Sequence, residues 1–411
     1  MKFHTTAATT VRSRWIAAPV AAIAALVLVA FGARDTETSW SSAWTTAVQY
    51  PIYQNWSAMG FADQTVRQVI RLSQAGPEVR IRLSNRYGEY PLPVAAATVA
   101  ASAGGAAIVP ESVRGLTVGG RSEFVIAPGA EMVTDAVPTA AASLAITLYF
   151  AHPTGPATQH GQSVATTYRA DGDHAADPSA APFTDTSQSW YYLAGVETLR
   201  PSTGQVTVAF GDSLTDGYRS TVDADLRYPD QLVAAGHHGP VVNAGISGNR
   251  LLTDSTVLGD SALARFGRDV LDQPGVGTVV VLIGINDIGL SGSAGPDGIV
   301  FPLVSADQLI AGYRALIAQA RAADVRIIGA TILPFAGSAY FSPDKERLRT
   351  EVNTWLRNSG AFDKVVDLEQ VLAAPGDRTR LADAFDSGDH LHPNDSGYRA
   401  IAMVVAPALA T

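Results

Sequence analysis

The feature that most constrains the fold is a change of pattern at Gln205. Downstream of it, near-continuous apolar runs recur: VTVAF (206–210), VVNAG (241–245), VGTVVVLIG (276–284), VRIIGATIL (325–333) and KVVDL (364–368). Helix candidates separate or follow them near 228–236, 305–323, 344–359 and 394–409. A strand that is apolar on every residue is buried on both faces, and intervening helices supply the cover. Residues 204–411 are therefore expected to form an α/β domain on a parallel sheet.

Residues 40–200 read differently. VRQVIRLS (66–73) and VRIRLSN (79–85) alternate apolar and polar residues, the period of a strand with one wet face. The turn Gln74–Pro77 between them predicts a hairpin. AAATVAAS (95–102), SEFVIAP (122–128) and SLAITLYF (143–150) add further short strands with no helical stretch among them. This pattern predicts a β-sandwich or jelly-roll-like domain. Residues 151–203 show little periodicity and read as a long connection, in which Trp190–Leu193 is an edge strand or an aromatic anchor. Together, 34–203 are expected to be a β-rich accessory domain and its connection.

The first 33 residues stand apart. Arg12 and Arg14 precede the apolar stretch 15–33, which ends in small residues before Arg34-Asp35. That layout predicts a signal peptide and a secreted or periplasmic protein. An uncleaved N-terminal membrane anchor is the alternative, because the run approaches bilayer-spanning length. No later segment is apolar enough over that length, so no membrane span is expected after cleavage.

With 47% apolar residues the 411-residue chain can fill sizeable cores. Its net charge of −9 and lack of any basic run speak against a nucleic-acid partner. The absence of cysteine excludes a catalytic thiol, thiolate metal sites and disulfides.

The chemistry concentrates at predicted strand ends, where doubly wound sheets bind ligands. Ser213 follows VTVAF, Gly248 follows VVNAG by three residues, and Asn286 follows VVVLIG. Asp389 and His392 lie before the last helix, where Pro393 can take a first helical position. A serine hydroxyl becomes nucleophilic when a base accepts its proton, and imidazole titrates in the useful range. A carboxylate on the other ring nitrogen fixes the tautomer and stabilises the imidazolium. Asp389, three residues before His392, can do so across one turn. The backbone N–H groups of Ser213 and Gly248, with the Asn286 amide, are candidate donors to an oxyanion.

GDSLTDG (211–217), ISGN (246–249), GIND (284–287) and DHLHP (389–393) together resemble the four blocks of the SGNH/GDSL hydrolase family. The resemblance covers about residues 205–411. It implies a three-layer α/β/α, flavodoxin-like fold and hydrolysis of carboxylic esters without a metal or organic cofactor. It also implies roles: Ser213 as nucleophile, Gly248 and Asn286 as oxyanion donors, His392 as base and Asp389 as orienting acid. The β-rich half resembles, more loosely, the extension on some secreted bacterial members.

Rivals exist for several positions. His390 lacks the three-residue offset from Asp389 and reads as a solvent-side neighbour, while Asp386 is the alternative acid. The remaining histidines (152, 160, 174, 237 and 238) show no metal-ligand spacing and read as surface or hydrogen-bonded loop residues. Gly-x-Ser-x-Gly, His-Glu-x-x-His, Walker and Gly-x-Gly-x-x-Gly patterns are all missing. The stretches 289–304 and 333–343 lie past two strand ends and are expected to line the pocket, the latter with Phe335, Tyr340 and Phe341. The expected substrate is a small-molecule or polysaccharide ester, with acetylated carbohydrate first. A lipase or lysophospholipase, an acyltransferase, and a polysaccharide-binding protein on a hydrolase scaffold are the alternatives.

Overall fold

The computed structural model describes residues 38–201, 205–237, 239–294, 298 and 300–410. The predicted signal or anchor segment, His238 and residues 295–297 and 299 of the stretch expected to line the pocket lie outside them.

Two large antiparallel sheets build most of the first half, with two two-stranded ribbons beside them among the described residues. In one large sheet, β1 (Thr38–Thr45) pairs with the last strand of this half, which pairs in turn with the strand Glu78–Ser84. In chain order the main strands are β2 (Gln64–Arg71), β3 (Glu78–Ser84), β4 (Ala96–Gly104), β5 (Ser143–Phe150), β6 (Thr167–Asp171) and β7 (Leu193–Pro201). The second sheet runs β6-β2-β5-β4, extended by short strands at both edges. The predicted hairpin is not formed, because β2 and β3 belong to different sheets. Val66 and Ile70 of β2 meet Val79, Ile81 and Leu83 of β3 in one core cluster. Facing sheets bury both apolar stripes against each other, so Gln74–Pro77 carries the chain across the sandwich.

Nor is the polar face of β2 wet. Arg67 is fully buried and donates to Thr147 Oγ1 and to the carbonyls of Ala106, His174 and Asp177, beneath the connection. The connection itself contains β6 and β7. β7 escapes a reading by alternation because Glu197 is buried, clamped by Arg80 and Arg82 of β3. Trp190–Tyr191 pairs with Gln159–His160 and lies in the core.

The second half carries β8 (Val206–Gly211), β9 (Val241–Gly245), β10 (Val276–Leu282), β11 (Arg326–Ala330) and β12 (Lys364–Val366). They form one sheet in the order β9-β8-β10-β11-β12, and every pairing is parallel. The helices are α1 (Ser213–Asp216), α2 (Tyr228–Ala234), α3 (Ala262–Phe266), α4 (Ile285–Leu290), α5 (Ala306–Ala322), α6 (Pro343–Asn358), α7 (Leu368–Leu372) and α8 (Asp395–Leu409). α2, α5, α6 and α8 match the sequence expectation, whereas the short α1, α3, α4 and α7 offer too little periodicity to read. They pack in two groups, α2 with α7 and α8, and α3 with α5 and α6. A second, larger core cluster runs from Val206 to Ala408.

The two halves meet along β1 and β9 within one compact unit, 37–411. The hydroxyl of Thr45 donates to Asn243 O, the Ser42 N–H to Pro274 O, and the Tyr87 hydroxyl to Asp260. No helix among the described residues is long and apolar enough to cross a membrane.

Candidate active site

β8 and β9 end in register, Gly211 opposite Gly245, and the turn bearing Ser213 sits directly on that edge. A Cβ on Gly245 would lie 2.3 Å from the Asp216 nitrogen, so glycine is what allows α1 to rest on β9. Arg265, fully buried, donates to Gly211 O and Ala244 O and fastens the two strand ends together. Asp212 caps α1 by accepting the Leu214 N–H at 3.0 Å. Ser213 thus stands at the first position of a one-turn helix, 4% exposed, with its hydroxyl turned to the cleft.

Ser213 Oγ lies 2.9 Å from His392 Nε2, and His392 Nδ1 lies 2.9 Å from Asp389 Oδ2. Asp389 Oδ1 also accepts the backbone N–H groups of Leu391 and His392, at 3.0 and 2.8 Å. Burial alone would raise the Asp389 carboxyl. The bond and charge of His392 and the two backbone donors outweigh it, holding the group well below the usual carboxylate range. Arg219 approaches the same Oδ2 at 3.3 Å, and the edge of Tyr218 packs against the imidazole. Asn394, not Pro393, begins the last helix: its side chain accepts the Gly397 N–H, and Pro393 stands one residue outside.

The rival pair is spoken for. Asp386 Oδ2 lies 2.5 Å from His390 Nδ1 and Asp386 Oδ1 accepts the His390 N–H, so both residues are committed to each other.

Gly248 has φ +81°, in the region where side chains are strained, and a Cβ there would lie 2.6 Å from Leu258 Cδ2. Asn286, at the start of α4, donates from Nδ2 to Asn249 O at 3.0 Å and accepts the Tyr340 hydroxyl on Oδ1 at 3.0 Å. An amide nitrogen carries two protons, so one remains for a ligand. The N–H groups of Ser213 and Gly248 have no acceptor among the described residues. Ser213 and the three N–H donors border one cleft of about 290 Å³ that also contains His392.

Other block residues hold this arrangement. Asp287 accepts the N–H groups of Leu251 and Leu252, and Asn249 donates to Leu258 O and Asp260 O, so the loop bearing Gly248 is tied at several points. Burial pushes the Asp287 carboxyl up to about 6, against those two N–H bonds.

The walls differ from the expected ones. Tyr340 reaches the cleft, but Phe335 is fully buried in the core and Phe341 packs on Phe335. No described residue of 289–304 lines it. Gln49, Ile52, Gly161 and Gln162 of the β-rich half do so instead. His160, expected as a surface or hydrogen-bonded loop residue, is hydrogen-bonded and 1% exposed, with Nε2 2.9 Å from Asp216 Oδ1. Asp216 Oδ2 in turn accepts the N–H and hydroxyl of Ser247, at 2.9 and 2.7 Å. Among the described residues no group of His, Asp or Glu side chains is placed to hold a metal ion.

Solved structures similar to this chain include an acetylxylan esterase from Geobacillus stearothermophilus, 21% identical, with 51% of this chain and 95% of that one covered and a TM-score of 0.38. A GDSL-like lipase from Bacteroides thetaiotaomicron is 19% identical over 50% and 87% of the two chains, with a TM-score of 0.37. An aryl esterase from M. smegmatis is 14% identical over 50% and 98%, with a TM-score of 0.39. No curated protein matches the sequence. Residues 209–400 match the GDSL-like lipase/acylhydrolase family, and Ser213, Gly248, Asn286, Asp389 and His392 all fall inside that span. The chain thus carries a GDSL-like lipase/acylhydrolase domain over residues 209–400.

Proposed function

We propose that the protein is an exported serine esterase that cleaves short-acyl esters, acetyl esters of carbohydrate foremost, through an acyl-enzyme on Ser213. The observation that carries this reading is the unbroken line Ser213–His392–Asp389, with both links at 2.9 Å, beside three uncommitted N–H donors. Ser213 Oγ attacks the ester carbonyl as its proton passes to His392 Nε2. The carbonyl oxygen, now anionic, is met by the N–H groups of Ser213 and Gly248 and the Asn286 amide. His392 then gives that proton to the departing alkoxide, which leaves as alcohol. A water molecule repeats the sequence on the acyl-enzyme, with His392 as base, and returns a carboxylic acid and free Ser213.

Two features support the substrate class. The cleft at Ser213, about 290 Å³, lies at the low end of ligand-pocket volumes, which suits a small acyl group. It adjoins a second cleft of about 510 Å³ that shares Ile52, Gly161 and Gln162 and continues past Tyr53, Gln54 and Gln188. Every side chain lining that second cleft is uncharged, and most are amides, hydroxyls or aromatic rings. Such a lining suits a neutral polyhydroxylated alcohol better than a phospholipid headgroup.

The order β9-β8-β10-β11-β12, second-first-third-fourth-fifth in the chain, supports a three-layer flavodoxin-like reading of 204–411. Residues 34–203 are then a jelly-roll-like accessory domain. Export rests on the basic-then-apolar start of the chain.

Release of p-nitrophenol from acetyl to long-chain esters, by wild type and Ser213→Ala, tests the proposal. The expected result is turnover confined to the wild type and falling with chain length. Equal rates for the two proteins would instead favour a polysaccharide-binding role, and a preference for long chains would favour a lipase.

A further inference from the structure

His160 belongs to the β-rich half, yet its ring is committed to the nucleophile's turn. The imidazole stacks on Trp190, with centroids 5.5 Å apart, and is 1% exposed. Nδ1 lies 2.8 Å from Ala47 O. Nε2 lies 2.9 Å from Asp216 Oδ1 and 3.2 Å from Gln162 O. These are acceptors on both sides of the ring, and a neutral imidazole has only one N–H to offer. Satisfying them requires both nitrogens protonated, an imidazolium paired with a carboxylate.

Asp216 is the last residue of α1, three after Ser213. While Oδ1 faces His160, Oδ2 takes both the N–H and the hydroxyl of Ser247, the residue before Gly248. Asp216 is 4% exposed, so its charge depends on its partners. A buried carboxylate deprived of its cation is expected to protonate or turn, because an unpaired buried charge is costly. Either event removes an anchor from Ser247.

We propose that His160 is a positioning residue for the oxyanion donors: as a cation from the β-rich half it fixes Asp216, which fixes Ser247 and thereby the direction of the Gly248 N–H. This inference rests on the reading of the cleft as an ester-hydrolysing site. Oxyanion donors are used most fully in the transition state, so their misdirection appears in kcat rather than KM. Burial by itself pushes the imidazole down, but the charge and bond of Asp216 and the carbonyls of Ala47 and Gln162 outweigh it, and the net direction is up. Other charges face the pair: Arg227 lies across Trp190, 5.8 Å from that ring, and the carboxyl of Asp212 begins the turn that ends in Asp216.

The test compares wild type, His160→Phe and His160→Gln in p-nitrophenyl acetate hydrolysis, with active sites counted by a serine-reactive phosphonate. His160→Phe keeps a ring on Trp190 and removes both N–H donors. Its kcat per titrated site is expected to fall about tenfold or more, with KM changed by less than about threefold. His160→Gln retains an N–H that can reach Asp216 and is expected to recover part of that loss. An unchanged kcat per site in His160→Phe, even with a lowered melting temperature, overturns the proposal. If His160→Phe does not fold, imidazole ¹⁵N spectra of the wild type decide. Two protonated ring nitrogens on His160 at pH 7 support the proposal and one overturns it. That measurement is independent of esterase activity, so failure of the functional reading and failure of this one are separable.

Discussion

Asp389 grips His392 at two points: Oδ2 faces Nδ1 at 2.9 Å, and Oδ1 accepts the backbone N–H of the same residue at 2.8 Å. The carboxylate thus sets the position of the residue as well as the tautomer of its ring. Asp389→Asn keeps an oxygen for the backbone but can turn an amide N–H toward Nδ1. The ring proton then moves to Nε2, where it blocks acceptance of the Ser213 proton. A fall in kcat of about 10²–10⁴ is expected, with folding preserved. The half-buried His390, held by Asp386, should tolerate alanine with less than about a threefold change. Comparable losses in the two variants, measured with p-nitrophenyl acetate, would exchange their roles.

Tyr340 and Asn286 supply a graded comparison. The Tyr340 hydroxyl donates to Asn286 Oδ1, so it orients the amide without needing to touch the oxyanion. Burial pushes that phenol up to about 12, so it remains a donor at neutral pH. Asn286→Ala should cost about 10²–10³ in kcat, the usual loss of one oxyanion donor. Tyr340→Phe leaves the amide in place but free to rotate, and a loss of about three- to tenfold is expected. Steady-state kinetics check both, and a larger loss for Tyr340→Phe would give the hydroxyl a direct role.

How much of this was legible follows from the range of each interaction. Asp389 and His392 share one turn, and Gly248 and Asn286 follow strands whose apolar runs are plain, so local spacing is enough to find them. His160 meets Asp216 across 56 residues and from another sheet, which no spacing encodes. Its only signal in the sequence is a histidine beside Gly161. The hairpin expectation failed similarly: alternation shows that Val66 and Val79 lie on apolar faces, but not whether those faces share a sheet or oppose each other. Glu197 and Arg67 mislead because each is buried with its partners, and a polar letter in a strand reads as a wet one.

Stability should peak on the mildly acid side. Burial, with the charges of Asp287 and Asp216, pushes the Asp212 carboxyl up to about 8 against the Leu214 N–H bond and Arg265, and burial pushes Asp287 up to about 6. Unfolded, both titrate near about 3.9. Between about 4 and 8 the folded protein therefore binds more protons than the unfolded chain, and stability falls as pH rises. His160 acts in the same sense. Its folded value is raised, so its contribution is whole below about 6.5 and is lost as pH climbs from there through the higher folded value. Asp389 acts oppositely, contributing above about 3.9 and losing its contribution as pH falls below that. Calorimetric melting from pH 3 to 9 should show a maximum near about 4 and a fall above it. Asp212→Asn should flatten the alkaline limb, and a melting temperature that climbs steadily to pH 8 contradicts the argument.

The uncharged cleft beyond Ile52 makes a prediction about selectivity rather than rate. Tyr53 is 96% exposed, and Gln54 and Gln188 stand with it along a cleft that opens into the catalytic one at Gly161 and Gln162. p-Nitrophenyl acetate is small enough to be held by the catalytic cleft alone, so Tyr53→Ala and Gln188→Ala should leave its kcat/KM within about twofold of wild type. An acetylated oligosaccharide that fills both clefts would lose an aromatic platform in the first variant and an amide partner in the second. Each contact of that kind is worth about 1–2 kcal/mol, so kcat/KM on the oligosaccharide should fall about 5- to 30-fold, mainly through KM. Equal effects on both substrates would mean that the substitutions disturb the catalytic loops. No effect on either would place the alcohol elsewhere, and the carbohydrate reading would lose the observation that supports it.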